Sequence, residues 1–144
     1  MPISLARYAA IYILAMAALF VLSIVLEQLA GIPIPSGLST VIPPMMAAMI
    51  EGQRVAKAER RTFESDGKWR AAFKMTGVAI VINTIVAGLL MAFTDIGQAF
   101  AAAGANIVVS VAAFLIVLTL LVNRMFLATG IKQIERAARR GPGS

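Results

Sequence analysis

The chain contains no cysteine and no histidine. Lacking cysteine, it has no disulfide, no thiolate metal site and no sulfur nucleophile. Lacking histidine, it has neither the commonest general base nor the usual protein ligand of zinc and haem. Charge is also scarce, at 14% of residues, where an ordinary soluble domain carries about a quarter. Acid is scarcest, with 7 Asp and Glu against 13 Lys and Arg. Glycine-rich phosphate loops, paired catalytic carboxylates and Ser/His/Asp sets are missing. These absences argue for a protein that is not an enzyme and needs no cofactor or metal.

What the chain has is apolar surface, 60% of its 144 residues. In a soluble protein a net charge of +6 would suggest nucleic acid. In a chain this apolar it reads as loop charge on a membrane protein, with no nucleic-acid role. Residues 8–26, 75–94 and 96–123 are free of charge and number 19, 20 and 28. About 20 apolar residues in a helix cross the hydrocarbon layer, so each run qualifies as a span. The first run is longer than a signal-peptide core, and Gln28 in "EQLAG" stands where a small residue would be cut. It reads as a span and not as a cleaved signal.

The segment between these runs is harder to place. "GIPIPSG" (31–37) breaks helix, and Ser36 can cap the next one. From Ser36 to Gln53 is about 27 Å of helix, a bare crossing. Pro43 and Pro44 remove two backbone donors and should kink it, freeing the carbonyls of Ser39 and Thr40. Basic residues decide whether it crosses. They fall at Arg7, within 54–74 and within 124–140. If the segment crosses, all three groups share one side and the opposite loops carry no Lys or Arg. The positive-inside rule favours that arrangement, with both termini cytoplasmic.

The fold expected is all-α: one four-helix membrane domain over 1–140, with spans near 8–29, 36–53, 72–94 and 97–123. A basic cytoplasmic connection covers 54–71, an amphipathic cytoplasmic tail 124–140, and a flexible end 141–144. The connection should rest on anionic headgroups or meet an acidic partner through Arg54, Lys57, Arg60 and Arg61, with Trp69 at the interface. "ESDG" (64–67) reads as a turn, and Asp95 with Gln98 as a capping box closing a tight hairpin.

Few residues inside the spans can carry chemistry. Glu27, Glu51 and Asp95 lie at span ends, so no acid reaches mid-bilayer. Asn83 and Asn106 flank Asp95 at nearly equal spacing, which in a tight hairpin gives them one depth and allows a hydrogen bond. Ala79, Asn83 and Ala87 share one face, as do Ala102, Asn106 and Ser110. A packing seam explains these stripes better than a pore lining. Met45, Met46 and Met49 suit the gaps of a kinked helix better than Cu(I).

The stretch "PPMMAAMIEGQRVAKAERRTFESDGKWRAAF" resembles a family of small bacterial inner-membrane proteins of unknown function. The family pattern is "AAM..GQ", a basic run, a short loop and a tryptophan before the third helix. The matching residues are Ala47, Ala48, Met49, Gly52, Gln53, Arg54, Arg61, Trp69 and Arg70. The resemblance implies a bacterial inner-membrane location and attaches no activity.

Two roles fit these observations. One is a non-catalytic accessory or assembly subunit of a larger membrane complex, energy-transducing complexes included. The other is a homo-oligomeric channel or small transporter using Pro43, Pro44, Asn83 and Asn106.

Overall fold

The structure, a computed structural model, describes residues 3–32, 36–59, 65–94, 98 and 102–139. It is all-α, with four long helices among the described residues: α1 (Leu5–Ala30), α2 (Ser36–Glu59), α3 (Ser65–Phe93) and α4 (Ala105–Arg139). α1, α3 and α4 are long and apolar enough to cross a membrane. α2 is not among these three; its first 18 residues hold Glu51 and two prolines together with Ser, Thr, Gly and Gln. Pro43 and Pro44 lie inside this continuous helix and are buried. The basic run beyond Gln53 belongs to the same helix as far as Glu59.

Local chemistry sets several boundaries. Ser4 caps α1, its side chain accepting from the Arg7 N–H. Gly31 ends α1 at φ 63°, in the left-handed region that favours glycine. α4 runs for 35 residues without a break through Arg124, so the basic tail as far as Arg139 continues the same helix. α3 ends at Phe93 and α4 begins at Ala105, with Gln98, Ala102 and Ala103 helical between them; Asp95 of the expected capping box lies outside the described residues. Gly104, at φ 81°, precedes that start, and its carbonyl accepts from the Val108 N–H. Asp95, Arg60, Arg61 and the closing residues 140–144 lie outside the described residues.

The core sits at one end of the bundle. Tyr8 and Tyr12 from early α1, Ala47, Ala48 and Ala56 from α2, Ala71, Met75 and Ala79 from early α3, and Leu127 and Ile131 from late α4 form one cluster. Starts of α1 and α3 therefore meet ends of α2 and α4, and the helices alternate in direction. The other half is open. No residue of α4 between Ala105 and Val117 is buried, and Leu14, Phe20 and Phe93 are exposed on α1 and α3. Helices apolar on every face suit hydrocarbon and not water.

Candidate functional site

The α2/α4 crossing organises the packed end. Gly52 faces the backbone of Leu127, and Gly130 faces the backbone of Met49 and Gln53. A Cβ on Gly52 would lie 3.1 Å from the Leu127 carbonyl carbon and closer still to its oxygen. Glycine on both helices lets the two backbones touch, the close approach that small residues provide in membrane bundles. Beside the crossing, the Gln53 amide donates to the Gln133 carbonyl at 2.7 Å.

This close packing surrounds buried polar groups. The Tyr8 hydroxyl donates to Asn123 Oδ1 at 2.9 Å, and Asn123 Nδ2 donates to Thr76 Oγ1 at 3.1 Å. One chain of hydrogen bonds thus ties α1, α4 and α3. One helical turn along α1, the Tyr12 hydroxyl donates to Asn83 Oδ1 at 3.1 Å. Buried polar side chains need such partners wherever water is excluded.

Nearer the bundle end, Glu51 is almost fully buried at 1% exposure. The Ser4 N–H donates to its Oε2 at 3.3 Å. Arg7 Nη1 stands 3.9 Å from Oε1, an ion pair too long for a hydrogen bond. Oε1 has no hydrogen-bond partner among the described residues. Glu51, Ser4, Arg7 and the exposed Arg54 line a hollow of about 280 Å³, with Ile3, Val55 and Ala58 as its apolar wall. A larger cavity of about 430 Å³ opens farther along the bundle, lined by Tyr12, Met16, Thr40, Asn83, Thr84 and Ala112 among others. Its walls are mostly apolar, and the Tyr12–Asn83 pair sits at its edge.

The residues expected from sequence separate into groups. Arg54 and Lys57 are exposed on late α2. Trp69 is half-buried under the Arg124 guanidinium, 4.5 Å from the ring centroid, and also meets Phe73. Pro43 and Pro44 are core residues of α2. Asn83 and Asn106 are both exposed; Asn83 accepts from Tyr12, and Asn106, in the first turn of α4, lines a separate hollow with Ala103 and Ile107. Ala112 and Leu115 of α4, not Asn106, share the cavity with Asn83. Glu51, Tyr8, Thr76, Asn123, Gly52 and Gly130 were not singled out as site residues from the sequence. Their faint signals are the chain's two tyrosines four residues apart on α1 and an asparagine just before Arg124. Among the described residues no three His, Cys, Asp or Glu side chains gather as a metal site.

Comparison with protein-family models, with curated proteins and with solved structures finds no match to this chain.

Proposed function

We propose that this is a non-catalytic, four-crossing protein of the bacterial inner membrane, acting as an accessory or assembly subunit of a larger membrane complex. The observation that carries the proposal is the contrast between the two halves of the bundle. One end is closed by glycine contacts and buried hydrogen bonds. In each of the three apolar spans only 11% of the most apolar stretch is buried within the chain. Helices that pack so little on each other leave long faces free for partner helices, since association in lipid rests on packing and hydrogen bonds. α2 supplies the fourth crossing, a short one with Pro43 and Pro44 inside the helix, each lacking a backbone donor. Among the described residues, Arg7, Arg54, Lys57, Arg124 and Lys132 belong to the packed end, which under the positive-inside rule is cytoplasmic together with both termini. Arg54 and Lys57, joined by Arg60 and Arg61, offer that side a charged surface for anionic lipid or an acidic partner. Extraction in mild detergent, capture on an affinity tag, a native gel and mass spectrometry test the proposal. Migration with stoichiometric partners is the expected result, weakened when the four basic residues become Gln. A chain that runs alone refutes it.

One observation favours a second reading, a homo-oligomeric channel or small transporter. The two hollows lie at different heights of the bundle, Thr40 and Glu51 being about 16 Å apart along α2. On α1, Tyr8 of the Tyr8–Asn123–Thr76 chain lies in sequence between Arg7, which lines one hollow, and Tyr12, which lines the other. Defined homo-oligomers that pass ions in liposomes, with the flux altered in Asn83→Leu, support this reading. Tight vesicles refute it.

A further inference from the structure

Glu51 is the residue that the packing leaves unfinished. An ionised carboxylate has room for about four hydrogen bonds. Among the described residues Glu51 receives one, from the Ser4 N–H, and its Oε1 receives none. The Arg7 guanidinium is near enough to offset charge but not to bond. Such a group, away from water, calls for another donor. The hollow beside it is where that donor can come from, because Glu51 lines it.

The rest of the hollow specifies the donor's chemistry. Arg7, at 38% side-chain exposure, and the exposed Arg54 border the same space. Guanidinium groups bind phosphate oxygens through paired N–H groups. A bare phosphate would gain from both arginines but would be repelled by Glu51. A ligand with a phosphate and a nearby ammonium satisfies all three charges. Ile3, Val55 and Ala58 add an apolar wall. Position supplies the final point. Arg7 immediately precedes the charge-free run 8–26, so the hollow lies at headgroup depth in the orientation proposed above.

We propose that this hollow is a headgroup site for an aminophospholipid, with the phosphate between Arg7 and Arg54 and the ammonium against the Glu51 carboxylate. The proposal rests on the membrane placement of the preceding subsection and not on the assembly role. A quaternary choline carries no N–H and cannot make the Glu51 bond. A glycerol headgroup leaves an uncompensated negative charge beside Glu51.

The test is native mass spectrometry of the full chain in detergent, with equal amounts of dioleoyl phosphatidylethanolamine, phosphatidylcholine and phosphatidylglycerol. Retention of the ethanolamine lipid should exceed that of the choline lipid by about tenfold, the worth of one charge-assisted hydrogen bond. It should also exceed that of the glycerol lipid. Glu51→Gln should erase the preference for ethanolamine over choline. Arg54→Gln, an exposed change that does not threaten folding, should lower retention of the ethanolamine lipid. Equal retention of ethanolamine and choline lipids overturns the site, as does a preference for the glycerol lipid or an unchanged preference in Glu51→Gln. Should Glu51→Gln fail to fold, the wild-type ratio and Arg54→Gln decide. Soluble O-phosphoethanolamine is the last arm: if it binds while no lipid is retained, the lipid assignment falls. Membrane placement is read separately, from the carbonate-washed pellet. A chain missing from the pellet fails the placement, whereas one present in it with equal retention of both lipids fails the headgroup site alone.

Discussion

Gly130→Ala should destabilise the bundle, although alanine is the better helix former. A methyl group on Gly130 would meet the Met49 carbonyl oxygen at once and would lie 3.0 Å from the Gln53 nitrogen. These atoms are backbone, so no rotamer change relieves the overlap; α2 and α4 must move apart. Overpacking costs typically about 1–3 kcal/mol, and a rigid backbone neighbour places this site near the upper end. Alanine returns about 0.5–1 kcal/mol of helix preference over glycine. The net loss expected is about 2 kcal/mol. Gly77 and Gly88 on α3 provide the control, because a Cβ on either meets nothing within 4 Å. There the helix preference acts alone, and alanine should be neutral or stabilising. The assay is the midpoint of SDS-induced unfolding in mixed micelles, followed by tryptophan emission. Trp69, the only tryptophan, lies under Arg124 of α4 and reports separation of α3 from α4. If Gly130→Ala unfolds at or above the wild-type midpoint, or Gly88→Ala falls as far, the close crossing is not what holds this end together.

Gly52→Ala with Gly130→Ala should cost less than the two single losses added, because one separation of α2 from α4 relieves both contacts; the same midpoints measure it. Tyr8→Phe removes the donor to Asn123 Oδ1 and should lower the midpoint by about 1 kcal/mol or less, the range of polar contacts between membrane helices. Arg124→Gln removes the cation over Trp69 and should shift its emission, with a stability loss of about 0.5–2 kcal/mol. The natural lack of cysteine makes topology directly measurable. Single cysteines at Lys57 and Lys132 should label only from the cytoplasmic side, and one at Gln98 only from the opposite side. Labelling of Lys57 and Gln98 from one side contradicts four crossings.

Much of the architecture was readable along the chain. Apolar runs of span length are a one-dimensional property, and they matched three helices apolar enough for a membrane. The all-α reading followed from the same runs. Other features depended on what faced them. Asn83 was visible as a polar residue in a span, but its partner is Tyr12, 71 positions away, and not Asn106. Trp69 read as an interfacial anchor, and the fold sets Arg124 over its ring. Glu51 read as an acid at a span end. Its burial depends on α1 laying Ser4 and Arg7 against it, which no window on α2 contains.

By itself the sequence determined that this chain is helical, lipid-compatible over long stretches, basic at a few chosen places and without cysteine or histidine. Each of those properties is set by composition and by spacing along one helix. The tertiary structure alone decided that Gly52 and Gly130 form one crossing, that Tyr8, Asn123 and Thr76 share one chain of hydrogen bonds, and that Glu51 closes on Arg7 beside an open hollow. These pairings depend on the depth and rotation of one helix against another. Hydrophobicity fixes neither, because an apolar helix can turn about its axis in lipid at almost no cost until packing and hydrogen bonds select one face.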